Sequence, residues 1–303
     1  MEKIELTFLG TSAAMPTPQR NLSSIALRFM GDILVFDAGE GTQRQLMTAS
    51  ISYMKIKYIF ISHFHADHFL GLPGMIATMN MMERSDPLTI FGPKGIKKRV
   101  EQALELALMK LEFPIHYVEL KEGKIVEEKN YSVHSFMLKH VTACYGFTFK
   151  EHDKKGEFMR KKAEELGIPV GPLFAKLANG KSVKVNGKTF KPSEVMDYSK
   201  GRNGRKICIV MDTLASDSYA KHLKEADILV HEAVFGDDGL ERAQLTKHST
   251  ARQAAKLAKK AKVQKLILTH VSSRYKDCTE LVNQAKQEFA NTEIAEDLMK
   301  KEI

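Results

Sequence analysis

Ser62-His63-Phe64-His65-Ala66-Asp67-His68 places three imidazoles and a carboxylate within six residues. Side chains repeat every 2 residues along a strand and every 3.6 along a helix, so neither element can present all four on one face. They converge only if the chain turns sharply here. Burying four such groups without a partner is expensive, so the pattern points to metal binding. Nitrogen and oxygen donors in this number suit two closely spaced divalent ions, Zn²⁺ above all. The chemistry such a pair supports is hydrolysis by water.

These side chains need elements to hold them. Tyr58-Ile59-Phe60-Ile61, directly before the motif, reads as a short strand inside a covered sheet. Ile4, Leu6 and Phe8 alternate with polar residues as in a half-buried strand, which Gly10-Thr11-Ser12 ends. Strands 23–29 and 33–36 flank the turn Gly31-Asp32. Residues 70–82 predict a helix whose Met75, Met79 and Met82 pack inward. A helix entered near Pro93 carries Val100, Leu104, Ala107 and Leu108 at helical spacing. Strands follow at 115–120, 124–127, 131–138 and 145–149. The last third reads as strand 207–211 with helix 214–224, strand 228–230 with a polar loop, helix 251–262, and strand 266–269 with helix 280–289. The economical arrangement is α/β, with two mixed sheets covered by helices in one domain over 1–303.

Hydrophobic residues make up 43% and charged residues 27%, which excludes disorder as the main state. No apolar run approaches the roughly 18–20 residues that span a bilayer, and Met1-Glu2-Lys3 opens without a signal peptide, so no membrane partner is expected. Cys144, Cys208 and Cys278 are odd in number and far apart, which suits a reducing cytoplasm. The net charge is +9, and residues 150–206 carry eight of these charges through 15 Lys/Arg against 7 Asp/Glu. The same stretch holds 7 of the 19 glycines, so it reads as an insertion. Two readings stand: a solvated loop, or an arm that grips a polyanion.

The HxHxDH order after a strand resembles the metallo-β-lactamase superfamily. That likeness implies an αββα sandwich with a two-metal site at one sheet edge, here with an inserted basic arm. It implies that His63, His65 and His140 hold one Zn²⁺, that Asp67, His68 and His270 hold a second, and that Asp212 bridges them. Mn²⁺ is an allowed substitute. The glycine usual before the bridging aspartate is Met211 here.

Four further segments are similar to motifs of the ribonuclease Z family: Asp37-Ala38-Gly39-Glu40-Gly41-Thr42, His231-Glu232-Ala233, His248-Ser249-Thr250 and Gly167-Ile168-Pro169-Val170-Gly171-Pro172. This resemblance implies a zinc-dependent endoribonuclease that cuts the 3′ trailer from precursor tRNA, leaving a 3′-hydroxyl on the tRNA and a 5′-phosphate on the trailer. Asp67 would accept a proton, and His248, oriented by Glu232, would donate one. Residues 150–206 would form a flexible tRNA-binding arm with Gly171 and Pro172 at its tip, and the enzyme would work as a cytoplasmic homodimer. Arg20 and Asn21 would lie near the tRNA 3′ end, in a loop where Pro18 replaces the usual lysine. Ser272 and Arg274, just past His270, could hold a phosphate or merely form a helix-entry turn. The rival readings are a small phosphodiesterase, arylsulfatase or lactonase-like hydrolase on the same fold, and a protein that binds RNA or metal without cutting. The first has no use for an arm, and the second none for a proton donor.

Overall fold

The apolar and alternating runs close into two seven-stranded sheets in the computed structural model, which describes residues 2–303. Met1, where the reading of an absent leader begins, lies outside the described residues. The first sheet takes β1 (Ile4–Gly10), β2 (Ser24–Phe29), β3 (Asp32–Phe36), β4 (Ile56–Phe60), β5 (Leu88–Gly92) and β6 (Ile115–Glu119). The second takes β7 (Gly123–Glu127), β8 (Tyr131–Leu138), β9 (Cys144–Glu151), β10 (Lys206–Val210), β11 (Ile228–Glu232), β12 (Lys265–Thr269) and β13 (Thr292–Ile294). A last strand, β14 (Lys300–Glu302), returns to pair antiparallel with β1. Strand order is β14-β1-β2-β3-β4-β5-β6 in one sheet and β13-β12-β11-β10-β9-β8-β7 in the other. Strands β3 to β6 run parallel, as do β10 to β13. Parallel pairing sets the carboxyl ends of these strands side by side, and loops leaving such ends are where α/β folds build sites.

Aromatic rings fill the space between the sheets. Phe147 of β9 meets Phe36 of β3 and Phe60 of β4, each at 5.5 Å between ring centroids, and Phe36 stacks on Phe60 at 5.0 Å. Helices cover the outer faces. Met75, Ile76 and Met79 of helix Gly71–Met81 pack on the first sheet with Val100 and Leu104 of helix Ile96–Leu106. Helix Ala251–Ala261 covers the second sheet, entered through a capping box between Thr250 and Gln253. No helix among the described residues is long and apolar enough to cross a membrane.

Some expectations give way. Met82 is 51% exposed beyond its helix, and Leu108 is 95% exposed, past the helix end at Leu106 and at φ +51°. The helix expected over 214–224 shrinks to a 3₁₀ turn and Ala220–Leu223, because the Ser216 side chain accepts from the Ser218 N–H and delays its start. Helices Thr42–Thr48 and Leu240–Thr246 and strands β13 and β14 were not expected at all.

The chain divides into two compact units, and Glu128–Tyr131 with Lys150–Arg205 form the smaller one. It has its own core of Ala163, Ile168, Leu177, Val183, Phe190 and Val195. Helices Arg160–Glu165 and Pro172–Ala178 supply part of it. Strands Val183–Val185 and Lys188–Phe190 pair across Asn186-Gly187, both at positive φ, the signature of a tight hairpin. The buried Glu151 carboxylate accepts from the guanidinium groups of Arg202 and Arg205.

Candidate metal centre

Strand β4 ends at Phe60, and the short helix Ala66–Phe69 begins only six residues later. His63 and His65 therefore sit on the extended link and Asp67 and His68 on the helix, which is the sharp turn the motif requires. Two further chain exits use left-handed backbone: Asp37 leaves β3 at φ +58° and His270 leaves β12 at φ +55°. For a residue with a Cβ this costs about 1–2 kcal/mol, and strain of this kind gathers at functional sites.

His63, His65, His140 and Asp212 offer donor atoms within 4.8 Å of one another, and so do Asp67, His68 and His270. Asp212, just past β10, sits between the two groups. Its Oδ2 is 3.6 Å from His63 Nε2 and 3.7 Å from His140 Nε2. Its Oδ1 is 3.1 Å from His68 Nε2 and 3.0 Å from His270 Nε2. One carboxylate oxygen thus faces each imidazole group. Despite the short distance, His68 Nε2 and Asp212 Oδ1 make no hydrogen bond, and neither does the buried His63 Nε2. These atoms aim at common points rather than at one another. Buried polar atoms left so are rare, and this set of nitrogen and oxygen donors fits a divalent-metal centre. Burial alone would raise the Asp212 carboxyl, but the surrounding imidazoles of His270, His68 and His63 hold it well below the usual range.

The far nitrogen of each Nε2-presenting ring is held. His68 Nδ1 lies 2.7 Å from Asp37 Oδ2, and His270 Nδ1 lies 2.5 Å from Ser23 Oγ. His140 Nδ1 donates to the Lys247 carbonyl at 3.1 Å, and His63 Nδ1 is 3.0 Å from Ser62 Oγ. Asp37 also accepts from the Ser62 N–H at 2.6 Å, which ties the ends of β3 and β4 together. Such partners fix ring orientation and tautomer. Nothing in the segment Asp37–Thr42 marks this role for Asp37 along the chain. Ser23 and Lys247 carry no sequence signal either, since they stand 247 and 107 residues from the rings they hold.

Glu232 ends β11 fully buried. It accepts from the Thr213 N–H at 2.7 Å, the Ser249 N–H at 3.1 Å and the Val234 N–H at 3.3 Å, and lies 3.0 Å from His248 Nδ1. Burial works against a charged His248, yet the Glu232 carboxylate pushes this imidazole up to about 9. A cavity of about 300 Å³ is lined by His65, Asp67, Asp212, His248 and His270, and Ser272 and Arg274 open onto it. The Arg20 guanidinium instead donates to Thr11 Oγ1 and the Ala295 carbonyl, both at 2.7 Å, and the Asn21 N–H to Asp297 at 2.6 Å. Gly171 and Pro172 lie in the smaller unit, where Gly171 at φ +143° leads into helix Pro172–Ala178. His231 is satisfied on both nitrogens, by Tyr219 Oη and the Glu232 carbonyl, and is a packing residue.

A family model described as Anti-Pycsar protein Apyc1 matches residues 4–158, a stretch that ends before Asp212, Glu232, His248 and His270. A metallo-β-lactamase fold protein from Bacillus subtilis superposes with a TM-score of 0.72 at 16% identity, covering 99% of this chain and 100% of its own, which shows the fold. Human tRNase Z, short form, superposes with a TM-score of 0.71 at 29% identity over 98% of both chains. The ribonuclease Z of Methanosarcina acetivorans is 44% identical over 301 residues, 99% of this chain and 98% of that protein. With identity of this extent along nearly the whole of both proteins, the chain belongs to the ribonuclease Z family, and through residues 4–158 to the family described as Anti-Pycsar protein Apyc1.

Proposed function

We propose that the protein is a two-zinc endoribonuclease that removes the 3′ trailer from precursor tRNA. The observation that carries this reading is the meeting of the His/Asp cluster and the Glu232–His248 pair on one cavity, in a chain whose whole-length relatives are named ribonuclease Z. His63, His65 and His140 would hold one Zn²⁺, Asp67, His68 and His270 the other, and Asp212 would span them, with Mn²⁺ as a substitute. When bound, the two cations supply Lewis acidity toward the phosphoryl oxygens and make water acidic enough to ionise near neutral pH.

The chain's own groups handle the protons. Asp67 accepts the proton of the attacking water, and the Ala14 N–H, 2.7 Å from Asp67 Oδ2, keeps that carboxylate in place. His248 carries a proton at neutral pH because Glu232 stabilises the imidazolium, and it passes this proton to the departing 3′ oxygen. Three backbone N–H groups keep Glu232 from swinging away. Attack by water rather than by a 2′-hydroxyl leaves a 3′-hydroxyl on the tRNA and a 5′-phosphate on the trailer.

Ser272 and Arg274 open onto the same cavity, which favours phosphate binding over a bare turn. Arg20 and Asn21 shape the loop that approaches the tRNA 3′ end. Residues 150–206 act as the tRNA-gripping arm, with Gly171 and Pro172 at the tip and Lys176, Lys181, Lys184, Lys188 and Lys191 in solvent. The enzyme works in the cytoplasm as a homodimer in which one subunit's arm serves the other's active site. Incubation with a 3′-extended precursor tRNA, followed by mapping of both new ends, tests the reading. Turnover of bis-p-nitrophenyl phosphate without tRNA cleavage would replace it with the small-ester hydrolase.

A further inference from the structure

The helix Leu240–Thr246 leads directly into His248 and carries a cation with nothing to hold. Arg242 and Thr246 stand four residues apart, hence on one face, and both line the cavity that contains His65, Asp67, Asp212 and His248. The Arg242 carbonyl accepts from Thr246 Oγ1 at 2.8 Å, but its exposed guanidinium makes no hydrogen bond or ion pair among the described residues. Nearby carboxylates are either engaged or turned aside. Asp237 is held by Arg252, and Asp238 accepts from Tyr275 Oη. Glu241 is the adjacent residue, and adjacent helical residues do not face one another. Arg252, on the next helix, shows the alternative, since it is paired with Asp237 and Glu288.

The guanidinium of a residue that lines a reaction cavity, left unpaired, is a fork of N–H donors shaped for a phosphate. Its position suggests which one. The His248 N–H donates to the Ala243 carbonyl at 2.8 Å, so the proton donor and the residue beside Arg242 are tied through one backbone bond. His248 faces the departing 3′ oxygen, which belongs to the last nucleotide of the tRNA. The scissile phosphate leaves with the trailer. The next phosphate on the leaving-oxygen side is therefore the linkage that joins this last nucleotide to the one before it.

We propose that Arg242 binds this phosphodiester, the first on the tRNA side of the cut, and so sets the last nucleotide with its 3′ oxygen against His248. The proposal rests on the endonuclease reading above. It is tested with precursor tRNA carrying a single uncharged methylphosphonate, either at that linkage or at the first one on the trailer side. For the wild-type protein, neutralising the tRNA-side linkage should lower kcat/KM by roughly 10- to 100-fold, the range of a hydrogen bond to a charged group. Arg242→Ala should lose a similar factor on ordinary substrate and be indifferent to the tRNA-side methylphosphonate. Arg242→Lys should recover part of the loss, since a point charge replaces a bidentate fork. Affinity for precursor tRNA without divalent metal supplies a second readout, in which Arg242→Ala should flatten the salt slope by about 0.7–0.9. If Arg242→Ala stays as sensitive to the tRNA-side methylphosphonate as wild type, or responds only to the trailer-side one, the assignment is wrong. If the wild-type protein cleaves no precursor tRNA at all, the endonuclease reading falls and takes this one with it.

Discussion

At the rim of the sheets His63, His68, Asp212, Glu232 and His270 are almost wholly withdrawn from water. Ser23, Asp37 and backbone N–H groups hold their outward atoms, while His63 Nε2, His68 Nε2 and Asp212 Oδ1 point inward without a hydrogen bond. In the inserted unit Lys161, Lys162, Lys176, Lys181, Lys184, Lys188 and Lys191 all stand in solvent, above a small apolar core that none of them enters. Both regions are dense in charge, yet they use it differently. A buried group acts through direction and distance, is screened little by salt, and leaves its neighbours stranded when removed. An exposed group contributes to a summed potential that falls off within a Debye length of about 8–10 Å. Losses at the rim should therefore be large, individual and insensitive to salt, whereas losses in the arm should be small, cumulative and steeply salt-dependent.

The sharpest attempt to break this contrast is Asp212→Ala, which removes the carboxylate between the two imidazole groups. Cleavage of precursor tRNA should fall by roughly 10³-fold or more, with most of the bound metal lost, as read by elemental analysis of the purified variant. His65→Ala should act in the same direction. An Asp212→Ala protein that kept both metal and activity would end the two-metal account.

His248→Ala comes next, with an expected loss of roughly 10²–10⁴-fold and unchanged metal content. Glu232→Ala should act in the same direction and be less than additive with it, because the two side chains are in direct contact at 3.0 Å. The pH profile carries the sign. With His248 pushed up to about 9, the donor form persists below that pH, and the rate should decline as pH rises through it. Glu232→Gln removes the stabilising charge, so the alkaline limb should move to lower pH. Loss of metal in His248→Ala would instead make this residue a ligand.

Ser23→Ala probes the layer behind the His/Asp cluster, since its hydroxyl holds His270 Nδ1. Metal affinity, measured by competition with a chelating dye, should drop by roughly 10- to 100-fold. An unchanged affinity would mean that left-handed backbone alone orients His270.

The arm supplies the smallest effect per residue. Replacing residues 158–196 with a short Gly/Ser turn uses the pairing of Glu157 with Asp197 as its base and removes eight Lys/Arg. Metal content should persist, while tRNA affinity weakens and its salt slope flattens markedly. Lys184→Ala alone should change that slope by no more than about 0.9, the increment of one duplex phosphate contact. A full deletion that left affinity and slope untouched would make the insertion a solvated unit.

What could be read from the residues differs between these regions for physical reasons. The motif 63–68 is legible because its donors are contiguous, and the arm because charge is a property of composition. The core inside the arm was hidden, since Ala163, Leu177 and Val183 lie on short elements without a sustained apolar period. The helix Leu240–Thr246, with its Arg242, looks like a polar loop in the sequence because Leu240 and Leu245 face outward and only Ala243 is buried.

Sequence by itself determined which donors exist, in what order, and that the strands before them would be buried, because side-chain chemistry and hydrophobic period are local properties of a chain. Tertiary structure alone decided that each oxygen of Asp212 faces a different imidazole group, that Ser23 and Lys247 hold rings far away in the chain, and that Arg242 lines the cavity. Those facts depend on distances between residues that meet only after the sheets have closed, and no spacing along the chain encodes a distance across it.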